Sequence, residues 1–378
     1  MPAPRIYRLS DGGPAVADIR QRLTQLGLLV QPATAIDPST DVFDAALDSA
    51  VRNFQQQRGL IVDGLVGRQT IRTLDEAHWA LGDRLLQHQV SHPLRGDDVA
   101  TLQQRLSDMG FNPGRVDGIF GHQTSAAVQE FQRNTGLSAD GTCGPATLAA
   151  FTRLTRTVTG GTPMAGEPTA LREHEAIRRF GATPAGRVVV VDAGHGGPDT
   201  GCVSNVVEGL TEADIAFDIA ARIEGRLTAL GAQAFLSRPR DLDTELDEQS
   251  RAEFANAARA DVVISIHSDA LKGDSARGVA TYYYGADRTG AHSAVGEQLA
   301  ELIQDEIVTR TDLVDGRTHR KTWDLLRWTT MPAVRVEIGY LSSPVDAARL
   351  SDPAFRDAVA EAVVAGVHQL FTADPTDA

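Results

Sequence analysis

The first 150 residues contain a helical pattern of apolar positions that occurs twice. Residues 13–27 align without a gap to residues 96–110, and apolar side chains recur in both at intervals of three, four and three. The matched apolar pairs are Val16 and Val99, Ile19 and Leu102, Leu23 and Leu106, and Leu26 and Met109. Because this spacing places the four side chains on one face of an α-helix, the pattern predicts a duplicated helical unit.

Further matches follow in each copy. They pair Phe43 with Phe120, residues 51–55 (V-x-x-F-Q) with 128–132, and residues 63–70 (D-G-x-x-G-x-x-T) with 140–147. Since Asp-Gly pairs favour tight turns, each copy is predicted to be a small all-α domain of about three helices. The offset between the copies falls from 83 to 77, so the first copy carries six extra residues, which we assign to a loop around residues 31–40.

From residue 187 onward, short β-branched runs alternate with helical segments. The predicted strands are residues 188–191, 232–236, 262–266, 280–284 and 334–338. The strongest helical pattern begins at Thr211, an N-cap residue, and continues with Ile215, Ile219, Ile223, Leu227 and Leu230 on one face. This alternation predicts an α/β domain with a mostly parallel sheet flanked by helices.

These patterns divide the chain into four segments. We predict a first helical repeat at 1–80, a second at 81–155, a linker at 156–185 and the α/β domain at 186–378. The linker assignment rests on the Gly-, Pro- and Thr-rich stretch at 157–163, and a short helix is predicted at 171–180.

Composition restricts the partners and the compartment. The chain has 378 residues, 42% of them hydrophobic, with 36 basic and 50 acidic side chains and a net charge of −14. This charge argues against nucleic acid as a partner. We find no apolar run long enough for a transmembrane segment and no apolar secretion signal at the N-terminus, which predicts a cytoplasmic protein. The two cysteines, Cys143 and Cys202, cannot form a disulfide framework.

Four side chains able to bind a metal ion or a proton lie where the predicted strands end. His195 follows the strand at 188–191, His267 ends the strand at 262–266, and Glu337 lies late in the strand at 334–338. Glu212 occupies the first turn of the helix that begins at Thr211. Ligands of parallel sheets bind beyond the carboxyl ends of the strands, so we expect these groups to converge.

Two imidazoles and one carboxylate form a known ligand set for catalytic zinc, and a further carboxylate can transfer protons. We therefore predict His195, Glu212 and His267 as ligands of Zn²⁺ and Glu337 as the catalytic acid/base. Glu208 competes with Glu212 for the ligand role.

Each of these residues also has a structural interpretation. Glu212 complements a helix dipole, His195 is suited to a turn, and His267 is suited to a core. A carboxylate inside a strand is costly to bury unless it is paired, and Arg335 is a possible partner for Glu337.

The α/β domain resembles the zinc-dependent N-acetylmuramoyl-L-alanine amidases of the Amidase_3 type. The resemblance rests on VDAGHGG at 191–197, LTEAD at 210–214, LSRPRD at 236–241, SRAEFAN at 250–256, ADVVISIHSDA at 260–270, GVATYYYG at 278–285 and LLRWTTMPAVRVEIGYLSSPVD at 325–346. It implies hydrolysis of the amide between the muramic lactyl group and L-alanine. It also implies zinc on His195, Glu212 and His267, with Glu337 as the catalytic glutamate.

This chain departs from the family pattern at two positions near the predicted site. Asp269 stands where the family usually has Asn, and Ala193 replaces a common Pro. Neither change removes a ligand. The helical repeats resemble peptidoglycan-binding repeats, which implies peptidoglycan, its precursors or muropeptides as the binding partner.

Two other functions fit the same sequence. The layout resembles cytoplasmic amidase-like regulators of actinobacterial wall synthesis, which bind wall-synthesis proteins or precursors and need not hydrolyse anything. A phage endolysin would also lack a secretion signal. If the protein is instead a wall-associated hydrolase, it reaches the wall by a route that its N-terminus does not reveal.

Overall fold

The computed structural model describes residues 6–30, 41–155, 167–178, 183–271 and 273–372. The chain separates into two compact units, Met1–Thr169 with Ala286–Ala291, and Ala170–Gly285 with His292–Ala378. The loop predicted around residues 31–40 and the stretch at 157–163 lie outside the described residues. The four segment boundaries stay a prediction.

The first unit is helical, as predicted. Its described helices are α1 (Pro14–Gln25), α2 (Ala45–Gln57), α3 (Arg68–Ala77), α4 (Asp97–Asp108), α5 (His122–Asn134) and α6 (Pro145–Thr155). The apolar faces of α1–α3 enclose one core and those of α4–α6 another, with Phe54 and Phe131 at equivalent buried positions. The repeated pattern thus corresponds to two packed groups of three helices.

Each repeat contains a buried glutamine that binds the D-G-x-x-G-x-x-T turn. Gln132 Nε2 donates to Asp140 Oδ1 at 2.8 Å, to the Thr142 carbonyl at 3.0 Å and to Thr147 Oγ1 at 3.1 Å. Its Oε1 accepts from the Gly141 N–H at 2.9 Å. Gln55 makes the same contacts with the turn at 63–70. The motif therefore supplies the polar partners of the glutamine side chain.

A third copy of this arrangement was missed by the sequence analysis. Gln103 Nε2 donates to Asp117, Ile119 and Thr124, within a D-G-x-x-G-x-x-T segment at 117–124. At the position of Gln103, the first repeat has Arg20, whose Nε donates to Asp41 Oδ2 at 2.9 Å. An ion pair there takes the place of the amide contacts.

The second unit is an α/β fold around a mixed sheet. Its described strands are β1 (Val188–Ala193), β2 (Gln233–Leu236), β3 (Val262–Asp269), β4 (Val279–Ala286), β5 (Ala291–His292), β6 (Asp315–Lys321) and β7 (Ala333–Tyr340). Its described helices are α7 (Glu167–Arg178), α8 (Glu212–Ala229), α9 (Glu248–Ala257), α10 (Ala294–Arg310), α11 (Asp324–Trp328), α12 (Pro344–Ser351) and α13 (Pro353–Thr372).

The sheet order is β2-β1-β3-β7-β4-β5, with β6 paired to β4. Strands β2, β1, β3 and β7 run parallel, while β4 is antiparallel to β7. The prediction of a mostly parallel sheet is confirmed, and the five predicted strands are all present. β6 was not predicted because its Asp-Gly-Arg-Thr-His-Arg-Lys sequence has no apolar side chain to mark a strand.

Opposite faces of the sheet contact different helices. Apolar side chains of α8, α10 and α13 share one core with Ile264 and Val336, whereas those of α9 and α11 share another with Val263 and Ala333. The second face carries a polar row in register, formed by Asp192, Ser265, Arg335, Tyr282 and His319.

None of the helices in the described ranges is both long and apolar enough to span a membrane.

Candidate metal centre

Three of the predicted site residues converge at the carboxyl end of the parallel strands. His195 follows β1, His267 lies in β3, and Glu212 is the first residue of α8. Glu212 Oε1 lies 3.0 Å from His195 Nε2 and 2.8 Å from His267 Nδ1. One ligand atom from each residue lies within 4.8 Å of the others. Two nitrogen donors and one oxygen donor therefore face one point.

Local structure around the start of α8 fixes the Glu212 carboxylate. Thr211 caps the helix by accepting from the Asp214 N–H at 3.2 Å. Glu212 Oε2 accepts from the Cys202 N–H at 2.9 Å, and Oε1 accepts from the Ser268 N–H at 3.2 Å. The side chain is buried, so these contacts hold both oxygens beside the histidines.

Asp199 orients the His195 ring, a role that the sequence analysis did not assign. His195 Nδ1 lies 2.7 Å from Asp199 Oδ2, which leaves Nε2 directed toward Glu212. A carboxylate bound to the second nitrogen of a metal-ligating histidine is a common feature of zinc sites. The only sequence signal for this pair is its spacing of four residues within a glycine-rich loop.

Two glycines provide the space that the cluster needs. A Cβ atom at Gly194 would lie 2.3 Å from the His267 ring. A Cβ atom at Gly201, where φ is +61°, would lie 2.6 Å from Glu212 Oε2. Both distances are far below van der Waals contact, so side chains at these positions would displace the candidate ligands.

The electrostatics of the cluster suit a cation. Burial would raise the pKa of Glu212, but hydrogen bonds and charge interactions with His195 and His267 lower it below its usual range. Burial lowers the pKa of His267, and the Arg335 charge adds to this shift. The carboxylate is therefore ionised and His267 is held neutral, the protonation states in which these side chains bind metals. The pKa of His195 is raised instead, because hydrogen bonds and charge interactions with Glu212 and Asp199 outweigh the lowering by burial, so metal binding there would release a proton.

Glu337, the fourth predicted residue, lies beside the cluster. It pairs in register with His267 across β3 and β7. Its Oε1 accepts from Arg335 Nε at 2.7 Å, so the ion pair considered from the sequence is present. Its Oε2 is buried and has no hydrogen-bond partner among the described residues. One oxygen is thus held by Arg335, while the other makes no such contact.

Glu208 does not join the cluster. It is exposed in the loop before α8, whereas Glu212 is 2% exposed. The structure brings together His195, Glu212, His267 and Glu337. Their chemical roles stay a prediction.

Two arginines that sequence reasoning left without a role hold the loop that carries His195. Arg251 Nη1 donates to the Ala193 carbonyl at 2.6 Å, and its Nη2 donates to the His195 carbonyl at 2.6 Å. Arg238 donates to the Ala193 carbonyl at 2.9 Å and to the Gly194 carbonyl at 3.1 Å. These contacts give the SRAEFAN and LSRPRD segments a function in positioning the loop.

Replacing Arg251 by Met should lower the free energy of unfolding by about 3–5 kcal/mol, because it leaves the Asp192 carboxylate buried without its cation. Arg251 Nη1 lies 2.7 Å from Asp192 Oδ1, and both side chains are at most 4% exposed. Urea denaturation of the full chain measures the loss. The control is Arg310→Met, which removes a partly exposed pair with Glu306 and should cost at most about 1 kcal/mol.

The ion pair between Arg251 and Asp192 also predicts how the free energy of unfolding depends on pH. Burial alone would raise the pKa of Asp192, but Arg251 leads the interactions that lower it to about 2. The unfolded value is about 3.9, so this stabilisation is complete above about pH 4 and is lost as the pH falls toward 2. In Arg251→Met the free energy of unfolding should change less steeply between about pH 4 and pH 2. If Arg251→Met and Arg310→Met lost the same free energy of unfolding, the stabilising role of the buried Arg251–Asp192 pair would be contradicted.

Comparisons with known proteins identify the family of this chain. Residues 189–369 match the Amidase_3 family, described as N-acetylmuramoyl-L-alanine amidase, and residues 12–74 and 95–151 match the peptidoglycan binding domain family. The chain is 44% identical to N-acetylmuramoyl-L-alanine amidase CwlM of Mycobacterium tuberculosis over 387 residues, covering 100% of this chain and 93% of that protein.

Two more distant relatives cover less of the chain. N-acetylmuramoyl-L-alanine amidase LytC of Bacillus subtilis is 29% identical, over 67% of this chain and 54% of its own. The crystal structure of an N-acetylmuramoyl-L-alanine amidase from Clostridium difficile is 32% identical over 48% of this chain and 95% of its own, with a TM-score of 0.44. On the full-length similarity and the matched domains, the chain belongs to the N-acetylmuramoyl-L-alanine amidase family.

Proposed function

We propose that the protein hydrolyses the amide bond between the lactyl group of N-acetylmuramic acid and L-alanine in peptidoglycan, with zinc bound by His195, Glu212 and His267. The observation that carries this proposal is the His-Glu-His cluster beside a carboxylate with one unpartnered oxygen. Two imidazoles and a carboxylate match a known ligand set of catalytic zinc, which leaves a position open for water.

The residues that hold the proposed ligands also fit a zinc site. Asp199 holds the ring of His195, and the Cys202 N–H donates to Oε2 of Glu212, the oxygen that does not face the histidines. A bound zinc ion supplies Lewis acidity, which polarises a carbonyl and acidifies water.

Glu337 performs the proton transfers in this proposal. Arg335 holds Oε1, so Oε2 accepts the proton of the attacking water and then delivers it to the leaving amine. An amide needs this delivery because an unprotonated amine anion is a poor leaving group. In this proposal His195, Glu212 and His267 only hold the metal ion, and they transfer no protons.

The peptidoglycan binding domains at 12–74 and 95–151 support the same substrate. Binding to wall polymer would keep the hydrolytic domain near its target and raise the local concentration of amide bonds. A weak binding domain and a weak hydrolytic domain joined in one chain would in this way act more efficiently than either alone.

Digestion of purified sacculi tests the proposal. The zinc-loaded full chain should release peptides with a free L-alanine amino terminus, detected by mass spectrometry. Chelator-stripped protein should release none, and added zinc should restore release. If a folded, zinc-loaded chain releases no such peptide, the proposal is wrong. Retained binding to sacculi or muropeptides would then favour the alternative of a non-hydrolytic regulator.

A further inference from the structure

The position of Glu337 gives the bound substrate a direction, provided that the proposed function holds. The peptide amine is the leaving group, and it must reach Oε2 of Glu337 to be protonated. Glu337 lies on β7, on the far side of β3 from His195, and β4 and β6 follow β7 in the sheet. The stem peptide therefore extends from the metal cluster toward β4 and β6.

A group of aromatic and basic side chains lies along that direction. We call it the cationic shelf, and it consists of Tyr282, His319, Lys321 and Trp323. The Tyr282 ring lies 4.6 Å from the Trp323 ring and 5.6 Å from the His319 ring, between centroids. Lys321 Nζ lies 6.0 Å from the centre of the Trp323 ring. The shelf thus combines aromatic rings with the Lys321 ammonium group.

The shelf shares a sheet face with Glu337. Arg335, two residues before Glu337 on the same strand, pairs with Tyr282, and Tyr282 pairs with His319. Two strand spacings of about 4.8 Å separate β7 from β6, and His319 lies two residues, about 7 Å, from the level of Glu337 along the strands, so the path is about 12 Å. An extended peptide advances about 3.3–3.6 Å per residue, so the third or fourth residue of the stem would reach the nearer end of the shelf, at His319. Lys321 lies two residues farther along β6.

Charge differs between the two sides of the metal cluster. In β6, residues 317–321 read Arg-Thr-His-Arg-Lys, within a chain of net charge −14. On the opposite side, a pocket next to Gly196 and Gly197 is lined by Asp214, Asp241 and Asp243, together with Arg238 and Arg240. Three carboxylates there disfavour an anionic peptide, whereas a basic strand attracts one.

We infer that the cationic shelf binds a carboxylate of the stem peptide, at about the third residue from the scissile amide. Lys321 supplies the charge and Tyr282 the surface against which the peptide backbone packs, while His319 Nε2 donates to the Gly316 carbonyl at 2.7 Å and holds its ring beside Tyr282. Basic side chains on an edge strand also hinder pairing with other chains. That role would not distinguish Lys321 from Arg320, which pairs with Tyr283 on the opposite face of the sheet.

The test compares two synthetic ligands and two variants of the full chain. The ligands are N-acetylmuramoyl tripeptides that differ only in a free or amidated carboxylate on the third residue. The variants are Lys321→Gln and the control Arg320→Gln. Binding is measured by calorimetry in a Glu337→Gln background, so it does not depend on turnover.

Lys321→Gln should bind the free acid about two- to fivefold more weakly and the amide almost unchanged, as expected for one partly exposed ion pair. Arg320→Gln should change neither affinity. Equal binding of acid and amide by the unmodified shelf would overturn the inference, and so would an equal loss for both ligands in Lys321→Gln. If the chain distinguishes the free acid from the amide but the wild-type chain hydrolyses neither, only the proposed function is wrong.

Discussion

The substitution Glu337→Gln should lower kcat by about a hundred- to ten-thousandfold and leave the zinc content unchanged. The new amide keeps the shape of the side chain but cannot accept a proton from water or deliver one to the amine. Its carbonyl oxygen can still accept from Arg335, so the contact with the guanidinium is disturbed less than by Ala. Release of peptides from sacculi and zinc analysis on the same sample measure both effects.

Glu248→Gln is the matched control for that experiment. Glu248 Oε1 accepts from Arg335 Nη1 at 2.9 Å, so it contacts the same guanidinium as Glu337 but lies outside the metal cluster. We expect kcat to fall less than about tenfold in this variant. A loss as large as that of Glu337→Gln would show that the Arg335 network, and not proton transfer by Glu337, limits the reaction.

The substitution His195→Ala should remove the zinc and, with it, the hydrolysis. The variant leaves one imidazole and one carboxylate, and catalytic zinc sites use three protein ligands. Zinc should fall from about one ion per chain to a trace after dialysis, as measured by elemental analysis. Retention of a full equivalent of zinc would refute the ligand assignment of His195.

Two further variants should retain more zinc than His195→Ala, each to a different extent. Asp199→Asn keeps all three ligands but weakens the contact that orients His195, and should reduce zinc affinity about 10- to 100-fold. His292→Ala removes a half-exposed histidine near Glu297 that lies outside the cluster, and should leave the zinc content unchanged. The expected order of zinc retention is His292→Ala, then Asp199→Asn, then His195→Ala.

Much of the fold follows from periodic patterns in the sequence. The three-four-three spacing in α1 and α4 and the β-branched runs of β1, β3 and β7 arise because one helix face or a whole strand is buried. The strand ends then located His195, His267 and Glu337, since parallel strands share a carboxyl edge. These inferences needed only local sequence and the general geometry of sheets.

Other features depend on contacts between distant segments. β6 forms because β4 offers an edge, and its own residues carry no apolar alternation. Arg251 acts on backbone carbonyls about 56–58 residues away, which no local pattern reveals. The turn at 117–124 is a different case, because it carries the same local D-G-x-x-G-x-x-T motif as 63–70 and 140–147 and is predictable from the sequence.

The buried ion pair in the first repeat restricts how that repeat can change. Arg20 stands at the position of Gln103, and Asp41 stands at the position of Gly118. Losing Arg20 would leave the Asp41 carboxylate buried without its cation, at a cost of about 3–5 kcal/mol, whereas Arg20 without Asp41 would keep its contact with Asp44 at 3.2 Å. An orphaned neutral amide costs about 1–3 kcal/mol. Positions 20 and 41 are therefore coupled: related chains should carry either the Arg–Asp pair or the Gln–Gly pair, and mixed combinations should be rare.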